Sequence, residues 1–195
     1  MKLKKYKEKY SKKVVKKPIK NKRLVDYKWI ITVTVLAFWI SLGFSFFSET
    51  TIPNANAIVA TVVILLFIGL GIIFDMVGIA ITVADIKTFN SMATKQVKGA
   101  KLAVRLIKNN EKASSFCNDV IGDICGILSG SAGVALSNIL ANSLDLNLFF
   151  TSLLITAIIA ALTIGGKAVG KATAINKSTV ILFRFSKVLS CFYRK

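Results

Sequence analysis

Every lysine and arginine of this 195-residue chain, 27 in all, falls in three segments: thirteen in 1–28, seven in 85–115 and seven in 167–195. What separates them is apolar. Residues 29–47 and 148–166 are nineteen-residue stretches without a charge, 57–84 is interrupted only by Asp75, and 116–141 carries Asp119 and Asp123 near its start. A helix rises ~1.5 Å per residue, so about 20 apolar residues cross a hydrocarbon layer ~30 Å thick. The connectors 48–56 and 142–147 are short and polar and hold no basic residue. Four spans with both termini in the cytoplasm put all 27 cations on one side, as the positive-inside rule requires. The expectation is an all-α, polytopic helix bundle, multi-pass in the cell (plasma) membrane. Ala55-Asn56-Ala57 has the small-x-small form of a signal cleavage site, but the apolar stretch before it exceeds the 7–15 residues of a signal core. Residues 29–47 are therefore read as an uncleaved span.

Composition agrees and removes several function classes. The chain is 54% apolar and 18% charged with no His, and its mean hydropathy is +0.63. Soluble domains carry roughly a quarter charged residues. Without His there is no Ser-His-Asp or Cys-His catalytic set and no His-ligated zinc or haem. Cys117, Cys125 and Cys191 form no C-x-x-C pair, so no disulfide framework or zinc site is indicated. An intramembrane Ser–Lys hydrolase fails on distance, because Ser129 and Ser131 lie ~9–12 Å outward of the Lys167 level. No enzyme and no cofactor is expected.

The basic arm, residues 1–28, alternates Lys with single Tyr, Val or Ile and has no strong helical period, which reads as a disordered cytoplasmic tail. Each Lys beside anionic lipid is worth about 1 kcal/mol. The arm is read as a topology determinant that binds inner-leaflet anionic lipid; no specific nucleic acid is expected, although attraction to phosphate is sequence-independent. Residues 86–112 read as one amphipathic helix. Phe89, Ala93, Val97, Ala100, Val104 and Ile107 form its apolar face. Lys98, Lys101, Arg105, Lys108 and Lys112 form a cationic stripe suited to lying on the inner leaflet. Residues 175–195 are a weaker version, read as a second interfacial helix over about 175–193, with Val180, Phe183, Val188 and Phe192 among Lys177, Arg184, Lys187 and Arg194.

The charges inside the spans share a depth. Asp75 lies eighteen residues from Ala57, Asp123 eighteen from Ala141 and Lys167 nineteen from Leu148. All three therefore sit ~27 Å from the outer boundary. Asp119 is one turn nearer the cytoplasm on the face of Asp123. An ionised group here costs a few kcal/mol unless paired or wet. Two readings stay open: a cation or proton site built on Asp75 and Asp123, with Asp119 nearby and Lys167 as counter-charge or gate, or a structural Asp–Lys–Asp network. Gly122, Gly126 and Gly130 recur every four residues as a ridge for close helix approach. Gly165, Gly166 and Gly170 serve either packing or a helix break that frees carbonyls for a cation.

The order of these features resembles the transmembrane domain of the CNNM/CorC magnesium-transporter family. AITVAD (80–85) running into KQVKGAKLAVRLIKNNE is similar to the family's first helix and basic successor. CNDVIGD (117–123) is similar to its Gly-Asn region, and GKAVGKATAINK (166–177) to its Gly-Glu-x-x-Pro-Lys segment. The likeness covers 72–195; the span 29–47 and the arm are extra, and the family's paired CBS domains do not occur in these residues. By this alignment the family's Ser is Asp75, its Asn is Asp123, its Glu is Lys167 and its Pro is Gly170, while its Lys is kept as Lys171. The resemblance implies three spans in 57–195, a homodimer, and Mg²⁺ as the transported or bound ion. The alternative expectation is a non-transporting relative acting as a membrane interaction protein.

Overall fold

The computed structural model describes residues 27–51 and 56–192. Residues 1–26 of the basic arm, residues 52–55 with Ala55, and 193–195 lie outside it. The chain divides into two units, Met1–Thr32 and Val33–Lys195. Of the first, the described part is the opening of one helix; the packing below belongs to the second.

The architecture is all-helical among the described residues, a multi-pass helical membrane bundle. Four of its helical stretches are long and apolar enough to span. The helices are α1 (Tyr27–Thr51), α2 (Ala57–Val83), α3 (Ile86–Thr94), α4 (Ala100–Lys108) and α5 (Asn110–Ser115). A π-helical segment (Phe116–Gly122) then runs without a loop into α6 (Asp123–Leu144), followed by α7 (Leu148–Asn176) and α8 (Ser178–Phe192). Helices are what hydrocarbon demands, since each backbone polar group must find its partner within the segment. Span hydroxyls obey the same rule: Thr61, Ser129, Ser131, Ser137 and Thr163 each donate to a carbonyl three or four residues back.

α2 is the central post. Its upper half presents Ala60, Ile64 and Ile68, four residues apart and so on one face, to Ala132 and Leu136 of α6 and Ile159 of α7. Phe67 turns to Val120, Ile124 and Leu128, where Val33, Ala37, Ile40 and Phe44 of α1 also pack. The Phe44 and Phe67 rings meet edge to face at 6.0 Å. Phe38 and Trp39 of α1 face outward, 61% and 65% exposed, as suits a helix solvated by lipid. An open apolar groove of about 600 Å³ remains between α1 and α2, lined by Trp39, Gly43, Leu66 and Leu70 among others.

The lower end of α2 has different company. Val77, Ala80, Ile81 and Ala84 cluster with Phe89 of α3, Ala103 of α4, Cys117 of the π segment and Leu182 of α8. Three expectations are corrected here. Residues 86–112 are not one helix but three, broken at 95–99, where Gln96 and Gly99 have φ of 55° and 88°. The physical cause is close packing: a β-carbon on Gly99 would stand 2.9 Å from the Lys187 backbone nitrogen and 3.0 Å from its Cα. The apolar face is also taken by protein rather than lipid. Phe89, Ala100 and Ala103 are fully buried, whereas Val97 is 37% exposed. In the last helix the inward stripe is Leu182 and Ser186, both fully buried, while Val180 and Val188 are 49% and 62% exposed. Burying a side chain the size of Phe89 or Leu182 contributes roughly 1.5–3 kcal/mol, which holds this layer to the post.

Candidate functional site

One face of α2 packs closely against the π-helical segment and the start of α6. Gly71, Asp75 and Gly78 are four and three residues apart, so they share a side of the helix. Both glycines are buried against the π segment and the start of α6. A β-carbon on Gly71 would lie 3.2 Å from the Cys125 Cβ and 3.5 Å from the Gly122 carbonyl oxygen. A β-carbon on Gly78 would overlap the carboxamide of Asn118. The Gly122 backbone and the Cys125 side chain thus approach α2 at Gly71, and the Asn118 side chain approaches it at Gly78; the half-buried Asp75 lies between these positions along the helix.

Asn118 is the residue that sequence reasoning missed. It lies inside the π segment, and its Oδ1 is buried with no hydrogen-bond donor. A buried amide oxygen left unpaired costs about 1–3 kcal/mol, and π turns concentrate at functional sites. The available signal was two glycines flanking Asp75 on one helix, opposite the amide of the CNDVIGD run. Without a fold, nothing in the sequence shows that these two stretches face one another.

The other expected residues fall as follows. Lys167 Nζ lies 3.8 Å from Asp123 Oδ1, an ion pair beyond hydrogen-bond length; the Lys side chain is 29% exposed and the Asp side chain 67%. The same ammonium is 3.9 Å from where a Gly122 β-carbon would stand, so it borders the α2–π contact. Asp119 is exposed. No ion pair to Asp75 within 4.0 Å occurs among the described residues, so the pairing that is present is Lys167 with Asp123. No group of three or more Asp, Glu, Cys or His side chains gathers among the described residues. The Asp75 carboxylate and the Asn118 amide are oxygen donors of the kind hard cations prefer to soft-metal ligands.

The glycines separate into two groups. Gly166 packs on Ile72, and Gly170 packs on Met76 and Ile72. α7 continues unbroken through both to Asn176, which corrects the alternative of a helix break there. Gly126, Gly130 and Gly165 have nothing within 4 Å of a β-carbon, so of the expected ridge only Gly122 is used in packing within the chain. Gly133, not singled out from sequence, meets Ile159. Ser129 and Ser131 direct their hydroxyls to the Gly126 and Leu128 carbonyls of their own helix. The cationic stripe Lys98, Lys101, Arg105, Lys108 and Lys112 is exposed throughout, opposite the buried alanines of α4.

Comparison of the chain with protein-family models, with curated proteins and with solved structures gives no match.

Proposed function

We propose that this multi-pass membrane protein binds and passes a hard cation at the α2–π-segment contact, with Asp75 and Asn118 as its ligating side chains. The observation that carries the reading is the buried, donor-less Asn118 Oδ1 lodged against Gly78, one turn from Asp75. An oxygen that accepts nothing from the protein can be satisfied by a cation, and the same ion would lower the cost of a carboxylate at membrane depth. Asp123, with Asp119 one turn away, supplies acidity beside the site. Lys167, paired with Asp123, is the movable counter-charge. The likeness to CNNM/CorC transmembrane domains makes Mg²⁺ the first ion to test, in the plasma membrane and as a homodimer.

The test is ion flux in proteoliposomes under Mg²⁺, Mn²⁺, Na⁺ or proton gradients. Wild-type flux that D75N and N118A each reduce at least tenfold, with helix content unchanged, supports the reading. Wild-type vesicles as tight as empty ones to all four ions exclude it.

A second reading rests on the Lys167–Asp123 pair itself: a structural ion pair in a non-transporting membrane interaction protein. Under it, D123N/K167Q leaves the cellular phenotype intact.

A further inference from the structure

The lower helices form a cationic collar, and its depth identifies what it meets. The core beneath it is the flank of the last two turns of α2, from Val77 to Val83, together with Ala84. These residues lie 20 to 27 positions from the start of α2, that is ~30–40 Å from the outer boundary. A bilayer has ~30 Å of hydrocarbon and ~40–45 Å in all, so this flank occupies the headgroup zone of the inner leaflet. The collar cannot drift from it. Only two residues separate α2 from α3, α5 runs directly into the π segment, and only Lys177 separates α7 from α8.

The exposed charges of this layer are mostly cations. Lys87, Lys95, Lys98, Lys101, Arg105, Lys108, Lys112, Lys177, Arg184 and Lys187 are exposed, against Asp85 and Glu111 as acids. On α4 the cations point away from Ala100 and Ala103, which are fully buried against the post, so they face sideways into the headgroups. Few large apolar side chains accompany them, and the helices' own apolar faces are already packed inside. Attachment by insertion is therefore not available to this layer; attachment by charge is.

We infer that the collar formed by α3, α4, α5 and α8 binds the phosphodiester headgroups of anionic lipids in the protein's own inner leaflet. At headgroup depth each Lys contributes about 1 kcal/mol against anionic lipid, screened by salt. A soluble polyanion such as RNA would have to reach cations that lie at the level of the lipid phosphates.

The experiment uses the full chain, wild type and K98Q/K101Q/K108Q, in nanodiscs of phosphatidylcholine alone or with a third phosphatidylglycerol. Retained lipid is read by native mass spectrometry and the thermal midpoint by fluorescence. The wild type should retain phosphatidylglycerol at least fivefold over phosphatidylcholine and melt higher in its presence, with the gain shrinking from 50 to 500 mM salt. The triple variant should lose most of that preference, and K98R/K101R/K108R should keep it. If the glutamine variant fails to fold, the arginine variant and the salt series on wild type still decide. Equal retention of both lipids by wild type overturns the proposal. So does an undiminished preference in a folded glutamine variant, and so does tighter capture of a single-stranded RNA oligonucleotide than of phosphatidylglycerol.

Discussion

The carboxamide of Asn118 fills the space that any side chain at residue 78 would need, so Gly78 and Asn118 form a lock between α2 and the π-helical segment. G78A is expected to destabilise the bundle by about 1–3 kcal/mol, because a methyl group must displace a packed amide. Shortening the partner should repair it: G78A/N118G recovers more than half the loss. Unfolding in mild detergent reads both, and an undiminished defect in the double variant would break the lock.

The Lys167–Asp123 pair is expected to be weak. At 3.8 Å, with two-thirds of the Asp123 side chain exposed, a double-mutant cycle of D123N and K167Q should give a coupling of under about 1 kcal/mol. A coupling of several kcal/mol would favour the structural reading over cation passage.

Gly99 is expected to be the most sensitive glycine of the collar. G99A must place a methyl group against the Lys187 backbone and hold φ near 88°, which L residues disfavour by roughly 1–2 kcal/mol before any clash. Protease nicking near residues 95–99 should accelerate in G99A. By contrast, G126A and G130A have open space, and helix propensity alone favours them by about 0.5–1 kcal/mol.

Asp85 sets a pH dependence. It caps α3, accepting from the Lys87 backbone N–H at 3.0 Å and from the Thr88 hydroxyl at 3.2 Å. The Lys87 N–H, foremost, holds its carboxyl below the ordinary value of 3.8. A depressed carboxyl stabilises the fold above its unfolded value, and that contribution is lost as pH falls through the folded one. The protection of the Lys87 and Thr88 amides, measured against their intrinsic exchange rates, should therefore fall below about pH 4. D85N should flatten that dependence.

What was legible in the sequence was what lipid dictates. The spans follow from apolar length, and the lone in-span charges mark themselves by their expense, so Asp75, Asp123 and Lys167 were visible. Asn118 was not, because a neutral amide at the start of a span carries no such mark. The reading of 86–112 as one helix failed at Gly99 for a related reason. Periodicity reports which residues turn inward on a helix, not which helix lies opposite, and the approach of Lys187 is what breaks this one.

The π-helical segment leaves α5 and α6 as one rod from Asn110 to Leu144 with a surplus residue wound into its middle. Unwinding that surplus into ordinary α-helix would turn everything before Phe116 by ~100° relative to α6. Asn118, inside that segment, would swing off Gly78, so the surplus turn works as a crank between the short α5 and the long α6.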